Sequence, residues 1–133
     1  MAEQTILDTS IKILVADDYA ATRDLIRAIL RATGFTNIFQ AENGQEAIQR
    51  IYSEQPQLVI CDWNMPIANG LEVLKAVRSD SRFVDLPFIM LTAEAYRESI
   101  SAAVQAGVSE YIAKPFTAEI LIKKIEKVMK NKK

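Results

Sequence analysis

Five short runs rich in branched apolar residues recur along the 133-residue chain, and a segment of helical period follows each one. The runs are Ile11 to Ala16, a weaker Asn37 to Ala41, Gln57 to Cys61, Leu86 to Leu91 and Ser109 to Ala113. The segments between and after them are Ala20 to Thr33, Asn43 to Glu54, Asn69 to Arg78, Glu94 to Ala106 and Thr117 to Asn131, long enough for about three turns or more. This alternation leaves few folds open. Consecutive strands must lie parallel, joined by right-handed crossovers, with helices covering both faces of the sheet. The near-continuous apolar runs Ile13-Leu14-Val15-Ala16 and Phe88-Ile89-Met90-Leu91 fit strands buried on both sides. The expected fold class is therefore α/β, a (βα)5 doubly wound parallel five-stranded sheet in a single domain.

Local signals mark the element ends. Gly34 and Gly107 follow apolar-periodic stretches as C-terminal caps do, and Asn43 with Glu46 has the spacing of a capping box. Four glycines and four prolines are spread evenly, without a linker-like cluster or an internal repeat. Only residues 1–10 lack a place in the pattern; they are expected to form a flexible N-terminal extension ahead of a domain at 11–131.

Composition excludes more than it specifies. There is no histidine, so no Ser-His-Asp or Cys-His catalytic pair, no haem proximal histidine and no mixed zinc site can be built within the chain. The single cysteine, Cys61, excludes an internal disulfide and reads as a core residue. Apolar runs of four residues are far short of the ~20 of a membrane-spanning helix, and Met1 to Thr5 lacks the basic and apolar parts of a secretory signal. A cytoplasmic protein without membrane contact is expected. Lys123 to Lys133 carries a net charge of +5, leaving −6 over residues 1–122. That favours a solvated, dipole-compatible helix end over nucleic-acid binding, which calls for a positive domain.

In an open parallel sheet, ligands bind beyond the carboxyl ends of the strands. There the sequence places Asp17 and Asp18, then Asp62, then Thr92, then Lys114 and Pro115. Taken singly, Asp18 and Thr92 read as helix caps and Lys114 as a solvated lysine. Taken together, three carboxylates on one rim repel, at about 1–4 kcal/mol per pair at ~4 Å, so positive charge must be present. Lys114 supplies one unit, and a divalent ion would cancel the remaining two. Mg²⁺ prefers hard oxygens and is typically held by carboxylates plus a phosphate. A carboxylate is also a recognised phosphoryl nucleophile. Asp62 is the leading candidate for that role, because Asp17 and Asp18 stand side by side as a chelating pair would.

These residues, in this order, resemble the receiver domain of bacterial two-component response regulators, which has flavodoxin-like topology. The resemblance extends over essentially the whole chain from Ile11. Asp62-Trp63-Asn64-Met65-Pro66 followed by Gly70-Leu71, Thr92-Ala93-Glu94-Ala95 and Lys114-Pro115-Phe116 are most similar to the single-domain chemotaxis members of that family. The resemblance implies that Asp62 accepts phosphate from a histidine kinase or a small donor such as acetyl phosphate. It implies Mg²⁺, with Mn²⁺ as a substitute, bound by Asp18, Asp62 and the backbone carbonyl of Asn64, and by Asp17 through water. Thr92 and Lys114 would bind the phosphoryl oxygens. Thr92 and Tyr111 would form the switch, Pro115 would follow a cis peptide bond, and Asn64 and Glu94 would tune dephosphorylation.

On that resemblance the output is a partner surface of Tyr96, Arg97, Tyr111, Ile122, Lys124 and Lys127. The partners are a flagellar motor switch protein and a phosphatase, met by a monomer. Other single-domain receivers, such as phosphorelay intermediates and twitching-motility regulators, share the same motifs. A Mg²⁺-dependent phosphatase is disfavoured by Asn64, where that class carries a second aspartate. A flavin module is disfavoured by Asp17-Asp18, which would repel its phosphate. Trp63 is expected near the rim of the site. Of Ile120 and Ile122, about 160° apart on the last helix, at least one should be partly exposed.

Overall fold

The computed structural model describes residues 7–93 and 97–130, the side chains of residues 97 and 98 excepted. Glu94, Ala95 and Tyr96 lie outside the described residues, as does the side chain of Arg97. Five strands, β1 (Lys12–Ala16), β2 (Asn37–Ala41), β3 (Leu58–Asp62), β4 (Phe88–Thr92) and β5 (Glu110–Ala113), alternate with α1 (Ala20–Thr33), α2 (Gly44–Glu54), α3 (Gly70–Arg78), α4 (Arg97–Gln105) and α5 (Ala118–Lys130). A 3₁₀ turn at Ser81–Phe83 precedes β4. All pairings are parallel and the strand order is β2-β1-β3-β4-β5, the expected doubly wound sheet. The order reverses between β1 and β3, and that pair of strand ends is where such a sheet opens a crevice.

Period-two alternation divides each central strand between two cores. Leu14, Val59, Cys61, Phe88 and Met90 point to one face and pack with Ile51 of α2 and with Val73, Leu74 and Val77 of α3. Ile13, Val15, Ile60, Ile89 and Leu91 point to the other and meet Ile26 and Leu30 of α1 and Leu121, Ile125 and Val128 of α5. Each such side chain contributes roughly 1.5–3 kcal/mol by leaving water. Residues 8–10 are tied to the domain by the Asn37 side-chain amide, which donates to the Ser10 carbonyl at 2.9 Å, and Leu7 packs on the α1/α5 core.

The helix ends depart in part from the sequence reading. Gly34 is a left-handed C-cap with φ 114°, as anticipated, and Gly107 has φ 93°. At α2 only half of the capping box forms: Asn43 accepts from the Glu46 N–H, but the Glu46 carboxylate accepts from Glu42 rather than from Asn43. The complete box is at α3, where the Asn69 side chain accepts from the Glu72 N–H at 2.9 Å and the Glu72 carboxylate accepts from the Asn69 N–H at 3.1 Å. Ile120 is 44% exposed, while Ile122 is half-buried against the α1/α5 core.

Two glycines let the β3–α3 loop lie flat on its surroundings. A Cβ on Gly44 would stand 2.0 Å from the Ala68 carbonyl oxygen, and one on Gly70 would stand 2.4 Å from the Asp62 carbonyl oxygen. Neither obstacle is a flexible side chain, so the backbone itself must move to relieve the clash. Gly44→Ala should therefore lower stability by about 2–3 kcal/mol. Urea unfolding followed by circular dichroism should show a lower midpoint with an unchanged slope; an unchanged midpoint would mean that the loop yields freely.

Candidate functional site

Asp62 is the last residue of β3 and Thr92 the last of β4, so both belong to the sheet rather than to the loops beyond it. The pairing that holds the ends level continues one residue further: Trp63 N–H donates to the Leu91 carbonyl at 2.8 Å, and Lys114 N–H donates to the Thr92 carbonyl at 2.7 Å. Ladder geometry thereby delivers Asp62, Thr92 and Lys114 side by side on neighbouring strands. The Lys114-Pro115 peptide is cis, as expected.

The Lys114 ammonium lies across the carboxylates, 2.8 Å from Asp17 Oδ2 and 3.0 Å from Asp62 Oδ1. Asp17 is fully buried, Asp62 is 5% exposed, and Asp18 is exposed. Asp17, Asp18 and Asp62 each place a carboxylate oxygen within 4.8 Å of the others. Asp18 does not cap α1: the N-cap is Tyr19, without a side-chain cap bond, and the Tyr19 N–H is taken by Asp17 Oδ1 at 2.9 Å. Asn64 is exposed at the start of the β3–α3 loop.

Burial pushes the Asp62 carboxyl above the ordinary carboxylate range, and the charges of Asp17 and Asp18 push the same way against its hydrogen bond to Lys114. Burial alone would lower the Lys114 ammonium, but its bonds to Asp17 and Asp62 raise it overall. The site is therefore a set of hard oxygen donors with more negative charge than one ammonium cancels. That donor chemistry fits a hydrated divalent cation of the Mg²⁺ type.

Behind Thr92, a narrow apolar cavity runs under α4, lined by Trp63, Met90, Ile100, Ala103 and Tyr111. Trp63, directly after Asp62 at the end of β3, is half-buried and shares this cavity with Thr92. Tyr111 is half-buried, with the Lys124 ammonium 5.9 Å from its ring centroid. Lys124 and Lys127 both pair with Glu110, at 3.2 and 2.8 Å. Ile122 is separate from this group: it faces a groove lined by Ala28, Ile29 and Ala32 of α1. The reason is helical geometry, since positions two apart point to opposite sides.

Two residues, one beside the site and one in the β3–α3 loop, carry no signal in the sequence. Arg23 on α1, almost buried, donates to the Asp17 carbonyl; it lies in no motif. Ile67, 72% exposed, has φ 72° in a tight turn closed by Ala68 N–H donating to the Pro66 carbonyl at 2.8 Å. A branched residue in that region costs of order 1–3 kcal/mol, and no spacing rule points to it.

An acidic triad and a lysine thus converge at the carboxyl edge of a parallel sheet of strand order 2-1-3-4-5. Residues 13–126 match the response regulator receiver domain, and the chain belongs to that family. It is 46% identical over 117 residues to the chemotaxis protein CheY of Pseudomonas aeruginosa, covering 88% of this chain and 94% of that protein. It is 42% identical over 125 residues to chemotaxis protein CheY-3 of Vibrio cholerae, covering 94% and 96%. In structure it resembles Vibrio cholerae CheY4 with a TM-score of 0.84 at 31% identity, over 90% of this chain and 98% of the other.

The charge surplus predicts a stability effect of known sign. A carboxyl whose folded pKa is raised destabilises the fold as pH rises through its range, and that cost is absent at acid pH where the group is protonated in both states. Without divalent metal, Asp62→Asn should therefore melt higher than wild type at pH 7, by about 4 °C for relief of order 1 kcal/mol. The gap should close toward pH 4, and millimolar Mg²⁺ should reverse the order by stabilising wild type alone. Differential scanning calorimetry at both pH values reads the effect; a lower-melting Asp62→Asn in EDTA at pH 7 would contradict it.

Proposed function

We propose that this chain is a cytoplasmic response regulator that takes a phosphoryl group onto Asp62 in a Mg²⁺-dependent reaction and passes the signal to a protein partner, rather than an enzyme acting on other substrates. The observation that carries this reading is the Lys114 ammonium shared by Asp17 and Asp62, beside an exposed Asp18 on the same rim. In this reading Asp18, Asp62 and the Asn64 carbonyl hold the metal directly. Asp17 acts through water, in keeping with both of its carboxylate oxygens already accepting hydrogen bonds. The bound ion supplies neutralisation of phosphoryl-oxygen charge.

The chain's own groups do the rest. An Asp62 carboxylate oxygen attacks phosphorus in line as the P–N bond to the donor imidazole breaks, or the P–O bond of an acyl phosphate, and the leaving group departs with the bonding electrons. Burial of Asp62 limits water at the acceptor and keeps the carboxylate poorly solvated. Lys114 has two carboxylate partners to exchange for a phosphoryl oxygen, so its charge is available without a large movement. The histidine that the chain lacks belongs on the donor, a histidine kinase.

Signal output then rests on Thr92 and Tyr111, which line one cavity under α4. Movement of the Thr92 hydroxyl toward a phosphoryl group would open space into which the Tyr111 ring can turn, away from Lys124. We assign the readout to the face carrying Tyr111, Lys124 and Lys127, together with Tyr96 and Arg97, which stand in sequence where α4 begins, and Ile122 does not share it. Similarity to chemotaxis proteins supports a flagellar motor switch protein as the partner and a separate phosphatase to reset the chain, with Asn64 and Glu94 tuning that rate. The domain proper is assigned to residues 11–131 and acts as a monomer.

Intact-mass measurement after incubation with acetyl phosphate and Mg²⁺ should show one added phosphoryl group. The adduct should be absent in Asp62→Asn and after chelation. No adduct on wild type would overturn the assignment, and repeated turnover of a phosphomonoester would move the chain to the phosphatase class.

A further inference from the structure

The two acidic side chains after β1 are only as well aimed as the peptide that joins them. That peptide is gripped from α1. Arg23 Nη1 donates to the Asp17 carbonyl oxygen at 2.7 Å, Nε donates to the Gln40 side-chain oxygen at 3.2 Å, and Nη2 reaches the Glu42 carboxylate at 3.4 Å. The Arg23 side chain is 11% exposed, so the guanidinium is held in place by these acceptors and by packing. On its other edge Asp17 N–H donates to the Ala41 carbonyl at 3.1 Å. The Asp17-Asp18 turn is thus anchored to β2 and to the turn after it through one planar fork, which a lysine cannot reproduce.

We propose that Arg23 is the positioning residue of the divalent-cation site: by fixing the plane of the Asp17-Asp18 peptide it sets the direction of both carboxylates before metal arrives. This rests on reading the acid cluster as a Mg²⁺ site. Arg23 touches neither metal nor phosphoryl group in this arrangement; it acts through the backbone of Asp17. The alternative, a through-space role of its charge, has the opposite sign. A cation one layer behind the metal repels it, so removing the charge would tighten binding. Positioning requires that removal weaken it, and loss of groups that orient metal ligands typically costs about 10- to 100-fold in affinity.

The test is calorimetric titration of the whole chain with Mg²⁺ in wild type, Arg23→Met and Arg23→Lys. Arg27→Met serves as a control, because among the described residues the ion pair of Arg27 is with Asp24, one turn back on the same helix. Melting in EDTA and far-ultraviolet circular dichroism separate folding from binding, because a purely structural role lowers the melting point but leaves the affinity of folded molecules unchanged. Arg23→Met is expected to bind Mg²⁺ at least about tenfold more weakly. Arg23→Lys, which keeps the charge and can donate once to the Asp17 carbonyl, should fall between it and wild type; Arg27→Met should match wild type. If Arg23→Met does not fold, the shortfall of Arg23→Lys against wild type carries the test. Wild-type affinity in the folded Arg23 variants, or tighter binding, overturns the positioning role alone. Absence of Mg²⁺ binding by wild type overturns the reading of the site, and this proposal with it.

Discussion

A single ammonium joins two carboxylates that the sheet has already buried. Asp17 and Lys114 are 97 residues apart, at the ends of strands separated by β3 and β4, yet Lys114 Nζ reaches Asp17 Oδ2 and Asp62 Oδ1 at 2.8 and 3.0 Å. Removing the ammonium would leave an uncompensated buried anion, a heavier penalty than losing the pair is a loss of attraction. Much of the site's construction serves this contact. The parallel ladders hold the strand ends level, the Trp63 and Lys114 backbone bonds extend the pairing past the last strand residues, and Gly44 and Gly70 let the following loop pass close beneath.

The same contact leaves the negative charge of the site only partly offset. The ion pairs do not cancel the local charge, and Asp62 shows this as a carboxyl held above its usual range by burial and by its acidic neighbours. Negative charge without a matching cation costs stability, and the raised Asp62 carboxyl is the sign of that cost. The structure places that cost on two cores that can bear it, each packed on one face of the sheet. The apolar cavity under α4, with Thr92 and Tyr111 on its wall, lies on the face opposite α1 and α5. One packed layer thus separates Thr92 at the strand ends from the surface helix α4.

Much of this was legible in the residue order. Apolar runs at strand spacing gave the alternation, and alternation gave parallel strands because crossovers between them are right-handed and need a helix's length. Asp17, Asp18, Asp62, Thr92 and Lys114 could be placed on one rim because each stands at the end of a predicted strand. Capping was read less well. Asn43 and Asn69 both stand three residues before a glutamate, and which of the two closes a full box depends on where the preceding turn puts a neighbouring N–H. Ile122 was placed on the wrong side of the last helix for a related reason. Sequence separation fixes angle around a helix or strand, but not which neighbour fills the space there.

The sequence by itself determined the fold class and the strand ends that carry charged groups, since period and residue type are local properties of the chain. Tertiary structure alone decided the strand order, the reach of Lys114 over 97 residues, the fork of Arg23 beneath the acidic turn and the strained φ at Ile67. These depend on side chains and backbone meeting across the sheet, and such meetings leave no periodicity in the chain that makes them.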